Sequence, residues 1–256
     1  MGSTKITFSW RYSVRRLIFE LIEDIAKLAL IVASLYVVLG AYVHRTRPAW
    51  SEPLERRRLT ILSVLVLAVS AIKVSEDVIG GESGPVDKAI LLFIHSRVPG
   101  TLTGFFEAVT FTGSSRVLFP LATAATIALL CARRRLEALL LAASVISGAA
   151  VVYVVKTLVG RARPALWETE AYWGSSFPSG HTLVVAAFAT AAALCVSRIR
   201  PAACKLALSI AILWISLVAI SRLVLGVHWP TDVLAAACIG AFLPLAMSVV
   251  LELRYA

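Results

Sequence analysis

The stretch EALLLAASVISGAAVVYVVKTLV, residues 137–159, decides the fold. Its charged side chains are Glu137 at the start and Lys156 near the end. An α-helix rises about 1.5 Å per residue, so an apolar run of about 20 residues crosses a bilayer core about 30 Å thick. Ala, Leu and Val fill the run without a turn signal, which favours a helix over a barrel strand. Residues 25–44, 59–79, 117–132, 182–197, 206–222 and 230–251 repeat the pattern. Segments 117–132 and 182–197 are short by this standard, but small flanking residues can extend them. The whole chain agrees: of 256 residues, 59% are hydrophobic and 16% charged, against about 25% charged in an ordinary soluble domain. A soluble globule of this composition would have to bury nearly all its surface, and the chain is too apolar for disorder. The expected fold is all-α: a polytopic transmembrane helix bundle of six to seven spans, one membrane-embedded domain over residues 1–256.

The formal charge of +10 orients this bundle. Arg56, Arg57 and Arg58 precede the second segment, Arg133, Arg134 and Arg135 separate the third from the fourth, Arg198, Arg200 and Lys205 separate the fifth from the sixth, and Arg254 follows the last. With Arg45 and Arg47 they form a belt that the positive-inside rule assigns to the cytoplasm. The excess basic charge therefore reads as topology rather than as a nucleic-acid signal. Residues 80–116, 160–179 and 223–229 then face outward. Residues 1–58 carry the ambiguity. Residues 25–44 are read first as a span, although Lys5, Arg11, Arg15 and Arg16 disfavour an outer N-terminus. The alternatives are an interfacial helix over residues 11–27, which lowers the count to six, or a tight hairpin. Residues 85–98 place Val86, Ile90, Phe93 and Ile94 on one helical face with Asp87 and Lys88 elsewhere, the pattern of an amphipathic helix lying on the outer surface.

Ionisable residues near a bilayer are costly, so function concentrates in them. Three outward stretches stand out. Lys156 and Arg163 are seven residues apart, two helical turns, and Pro164 ends the helix near them. Two cations on one face can clamp an anion, Arg bidentately and Lys as a point charge; the plainer alternative is snorkelling at a helix end. In the run Phe177-Pro178-Ser179-Gly180-His181, Ser179 suits an N-cap, the first-turn amides form an anion site, and Gly180 allows close approach to the backbone. His181 sits in that first turn, where it can exchange a proton near neutral pH. In the third stretch Arg222 adds a cation, Pro230 suits a first helical position, and Asp232 can reach back to His228 and fix its tautomer. Three cations, a helix N-terminus, two histidines and a carboxylate on one membrane face fit a phosphate carried by a lipid.

Lys156 with six residues before Arg163-Pro164, then Pro178-Ser179-Gly180-His181, then Ser221-Arg222 with five residues before His228 and three before Asp232, resembles the tripartite signature of the type 2 phosphatidic acid phosphatase (PAP2) superfamily. The signature covers residues 156–232, and residues 1–58 carry nothing diagnostic. The resemblance implies a metal-independent phosphatase without a cofactor, acting on a polyprenyl diphosphate, phosphatidic acid, phosphatidylglycerophosphate or lipid A type substrate. It implies His228 as nucleophile through a phosphohistidine, Asp232 as its orienter and His181 as acid and then base. Lys156, Arg163, Ser179, Gly180 and Arg222 would hold the phosphoryl oxygens. It further implies an integral membrane protein, of a bacterial inner membrane, with its site facing the periplasm or exterior. A lipid phosphotransferase using the same phosphohistidine, and a non-catalytic lipid-binding or transport protein on this fold, are the competing readings.

Other residues receive weaker assignments. Trp167, Tyr172 and Trp173 are read as interfacial anchors or as a lip against the lipid, and Trp229 as either. Lys73 and Glu76 are expected to pair, Ser144 and Gly148 to pack helices, and Cys131, Cys195, Cys204 and Cys238 to act as small buried hydrophobes. His44 and His95 are given no role.

Overall fold

The computed structural model describes residues 3–167 and 174–255, with side chains from residue 22 onward except those of 48, 53, 254 and 255. Tyr172, Trp173, Glu168 and Glu170 lie outside the described residues, as do the side chains of Lys5, Arg11, Arg15, Arg16 and Arg254. The described residues are helical, without strands: α1 (Ser3–Thr46), α2 (Ser51–Arg56), α3 (Arg58–Ile79), α4 (Gly84–Arg97), α5 (Thr103–Thr112), α6 (Ser115–Cys131), α7 (Arg135–Val159), α8 (Gly180–Ile199), α9 (Cys204–Val224) and α10 (Pro230–Tyr255). Seven stretches among them are long and apolar enough to cross a membrane: Ile22–Thr46, Arg58–Ile79, Gly100–Cys131, Arg135–Val159, Gly180–Ile199, Pro201–Val224 and Pro230–Leu253. This is an all-α polytopic membrane bundle. The unbroken α1 excludes the hairpin reading of residues 25–44.

The third stretch differs from expectation. It runs from Gly100 to Cys131 rather than over 117–132, and what was read as outer loop contains α5. Gly113 and Ser114 break the run into α5 and α6. A Cβ on Gly113 would lie 3.0 Å from both Val185 and Val218, so the break sits where the chain presses against α8 and α9.

The chain parts into two compact units, one ending at Val69 and the other starting at Ser70. In the first, α1 packs on α2 and on the Pro48–Trp50 turn, with Val43 and Leu54 buried. In the second, α8 is the central helix, flanked by α7, α9 and α10. Its Leu183, Val185, Ala186, Ala187 and Ala191 are fully buried. Close approach depends on small residues, as is general where helices meet in lipid. A Cβ on Gly148 would lie 3.3 Å from Ala187 and Leu183, and the neighbouring Ser144 is fully buried, which bears out helix packing for that pair. A Cβ on Gly240 of α10 would lie 2.3 Å from the Leu183 carbonyl oxygen, so the α8–α10 crossing needs glycine there.

α4 presents Val86, Ile90 and Phe93 outward, as an amphipathic surface helix in lipid would. Its inward face is the unexpected part: Asp87 and Leu91 are buried. Lys73 reaches Asp77 at 2.8 Å in preference to Glu76 at 3.9 Å. Cys195 and Cys238 are buried, whereas Cys131 is exposed.

Candidate active site

Helix ends and the segments between them build the site. α7 ends at a left-handed Gly160, φ 63°; Arg161 and Arg163 follow outside any helix, and Ser175–Ser179 lead into α8. Lys156, one turn before the end of α7, donates to the Ser175 carbonyl, so the clamp lysine also fastens the chain entering α8. Ser176 N–H donates to the Arg161 carbonyl at 2.8 Å, closing the same loop.

Ser179 holds the N-cap position of α8, but its side chain makes no capping bond. Its hydroxyl lies 3.1 Å from the Thr182 hydroxyl, while its N–H donates to the Asp232 carbonyl at 3.2 Å. The first-turn amides of α8 therefore keep the donor capacity that a side-chain cap would have consumed. Gly180 acts through packing as well as access: a Cβ there would lie 3.3 Å from Val152 and 4.0 Å from Lys156 Cε. It seats the start of α8 against α7, beside the lysine.

The segment after α9 turns sharply at Gly226, φ 67°, and delivers His228 to a site where it is 2% exposed. Arg163 Nη1 donates to the Val227 carbonyl at 2.8 Å and lies 3.3 Å from His228 Nε2. A guanidinium has no acceptor, so Nε2 must be the acceptor and the ring proton must sit on Nδ1. Nδ1 faces Asp232 Oδ2 at 3.5 Å. That separation is longer than a formed hydrogen bond, and such contacts commonly tighten only when substrate binds. Burial is the largest influence on the imidazole; Asp232 opposes it, Arg222 and Arg163 reinforce it, and the group is pushed down to about 4. His228 is therefore neutral at pH 7, with its Nε2 lone pair turned towards a cation.

Arg222 is fully buried and donates to the Thr110 hydroxyl of α5 at 2.8 Å. His181 lies within electrostatic reach of Arg222, His228, Lys156 and Arg163. It also lines a cavity of about 1100 Å³ together with His95, Glu107, Ser114, Arg116 and Trp167. Trp167 stacks on His95 with ring centroids 4.0 Å apart, and a Cβ on Gly226 would overlap its indole at 2.5 Å. Trp167 thus lines the cavity, and His95, which carried no assignment, packs against its ring there. Trp229 donates from its indole to the Ala162 carbonyl at 3.0 Å.

The three sequence stretches thus converge. Two residues that sequence reasoning passed over sit at their junction. Arg161 Nη1 donates to Asp232 Oδ1 at 2.5 Å and to the Thr231 hydroxyl at 2.9 Å, while its Nη2 donates to Asp87 Oδ2 at 2.7 Å and to the Ser83 hydroxyl at 3.0 Å. Asp87, 1% exposed, also accepts from the Thr231 N–H at 3.0 Å and from its hydroxyl at 2.6 Å. Their signal was a third cation beside Arg163 and an acid within an outward amphipathic helix.

The profile of the PAP2 superfamily matches residues 137–255, which hold all eight expected site residues. Lipid A 1-phosphatase of Rhizobium johnstonii is 30% identical over 166 residues, 58% of this chain and 65% of that protein. Phosphatidylglycerophosphatase B of Escherichia coli K12 is 40% identical over 74 residues, 29% of this chain. The chain thus spans 65% and 27% of the lengths of these two relatives. The crystal structure of a transmembrane PAP2 type phosphatidylglycerolphosphate phosphatase from Bacillus subtilis superposes with TM-score 0.68 at 24% identity, covering 74% of this chain and 96% of that one. Aquifex aeolicus LpxE superposes with TM-score 0.52 at 25% identity, covering 62% of this chain and 93% of that one.

Proposed function

Because residues 137–255 match the profile of the PAP2 superfamily, we propose that the chain is an integral membrane lipid phosphatase working through a phosphohistidine at the non-cytoplasmic face. The observation that carries the reading is the neutral, buried His228, with Nε2 facing Arg163 and Nδ1 facing Asp232. In the first step Nε2 attacks phosphorus, the P–O bond to the leaving group breaks, and His181 gives that oxygen its proton. Asp232 holds the positive charge that the ring acquires. In the second step His181 takes a proton from water, the oxygen attacks phosphorus, and the N–P bond breaks to release inorganic phosphate and neutral His228. Lys156, Arg163, Arg222 and the first amides of α8 stabilise the oxygens as charge redistributes. Three side-chain cations at one phosphate support a reaction that needs no metal.

The substrate class is a phosphomonoester or diphosphate of a lipid. The relatives' names point to lipid A and phosphatidylglycerophosphate, and a polyprenyl diphosphate or phosphatidic acid fits the same cradle. Purified protein in detergent with excess EDTA is expected to release phosphate from a panel of these lipids. His228→Ala should abolish release and His181→Ala nearly so. Full activity in His228→Ala, or strict dependence on added divalent metal, overturns the mechanism.

A further inference from the structure

Arg161 bonds two carboxylates and two hydroxyls, and among the described residues none of these partners belongs to the proposed phosphate cradle. Its two terminal nitrogens divide between two carboxylates: Nη1 to Asp232 Oδ1 at 2.5 Å, Nη2 to Asp87 Oδ2 at 2.7 Å. The second carboxylate oxygen of Asp232 accepts from the Trp229 N–H at 2.9 Å and faces His228 Nδ1 at 3.5 Å. A carboxylate free to turn about its last torsion has two equivalent oxygens to offer a histidine. Here one oxygen is occupied by a charge-assisted bond, so the other is the one left for the imidazole. Asp87 fixes the guanidinium in turn, and it also holds the N–H and hydroxyl of Thr231, next to Asp232 at the start of α10.

We infer that Arg161 is a positioning residue: it pins Asp232 Oδ1 so that Oδ2 selects the His228 tautomer with its proton on Nδ1, and Asp87 locks Arg161 in that pose from α4. The planar fork of arginine suits this task, because it serves two carboxylates at fixed directions. A lysine carries its three donors on one nitrogen and lacks that two-pronged geometry. The inference rests on His228 as the nucleophile, and its test is chosen to separate the two.

The tautomer is read directly, without turnover, from ¹⁵N-histidine NMR of the detergent-solubilised full chain, with the His228 resonance assigned by its loss in His228→Ala. The wild type is expected to show a single Nδ1–H tautomer near neutral pH. Arg163→Ala, which removes the donor at Nε2 and leaves Asp232 pinned, should keep that tautomer; Arg161→Gln/Arg163→Ala should give a mixture, and a single unchanged tautomer in the double variant overturns the inference whatever the activity. In phosphate release, Arg161→Gln should lower kcat by about 100-fold, the scale of a misplaced reacting group, with KM within about threefold because the phosphate ligands are untouched. Asp87→Asn, which leaves Asp232 bonded, should lower kcat by about tenfold, the scale of one charged hydrogen bond. On the Arg161→Gln background it should add less than about threefold, since only its hold on Thr231 is then left to lose. Multiplying losses would overturn the coupling. An active His228→Ala refutes the proposed function, while the tautomer result still judges Arg161.

Discussion

The α8–α10 crossing carries His181 on one helix and Asp232 on the other, and Gly240 sets how closely they approach. In Gly240→Ala the new Cβ would stand 2.3 Å from the Leu183 carbonyl oxygen and 2.7 Å from Ala186 Cβ. Ordinary contact begins at 3.4 Å, so relief requires about 1 Å of separation between the helices. The nearest obstacle is backbone, so no rotamer change can absorb it. Leu183 lies two residues after His181, and Gly240 eight residues after Asp232, about 12 Å along the helix. Overpacking of this kind costs about 1–3 kcal/mol, and a displacement near 1 Å at reacting groups costs about 100-fold in rate. Gly240→Ala should therefore lower Tm in detergent and reduce kcat for phosphate release by between about 10- and 100-fold. Gly104→Ala is the control, because a Cβ there meets nothing within 4 Å; it should keep wild-type kcat. Adding Ala186→Gly should not rescue Gly240→Ala, since the closer clash is with the Leu183 oxygen. Wild-type Tm and kcat in Gly240→Ala, or full rescue by Ala186→Gly, would refute the argument that backbone contact sets this spacing.

Two further expectations concern the segment around His228. Its imidazole, held down to about 4, should titrate well below the ordinary value near 6.5 in ¹⁵N NMR, and a midpoint near 6.5 refutes the burial argument. The linkage has a definite sign: an unfolded chain takes up this proton as pH falls below about 6.5 and the folded one does not until about 4, so folded stability declines across that window. Gly226→Ala combines a left-handed φ of 67° with a Cβ 2.5 Å from the Trp167 ring. It should destabilise the turn by about 1–2 kcal/mol and lower kcat/KM. Gly226→Ala/Trp167→Ala should recover only the part due to the clash. Unchanged kcat/KM in the single variant would show that the turn does not position His228.

The catalytic stretches were legible because their chemistry is local. Ser179 to His181 and His228 to Asp232 announce themselves at the start of a helix, and the apolar runs between them fix which ends share a face; Lys156 and Arg163 were expected two turns apart on one helix, but α7 ends at Val159 and the left-handed Gly160 carries Arg163 off it. α5 was not legible because its break at Gly113–Ser114 is a packing event, dictated by Val185 and Val218 on distant helices. The basic runs on either side then left residues 80–116 as an outward segment. Ser179 illustrates a partial success. Its position at the start of α8 follows from the apolar run behind it, whereas the partner of its hydroxyl depends on Thr182 and on what occupies the amides.

Asp87 and Arg161 failed to declare themselves for a more general reason. In water the apolar face of a helix points to the core, so Val86, Ile90 and Phe93 would have marked the inside of α4. In lipid that inference loses its sign, because tails accept apolar side chains as readily as a protein interior does. The buried face of α4 is instead marked by its acid, and an acid in such a place is held by a cation. Arg161 was visible in the run Gly160-Arg161-Ala162-Arg163 and was passed over because the pairing considered was Lys156 with Arg163. The two oversights are one: each residue explains the other, and neither lies within helical reach of its partner in sequence. For a bundle of this composition, matching acids to cations on the same side would have put Asp87 and Arg161 among the candidate pairs, which hydrophobic periodicity could not.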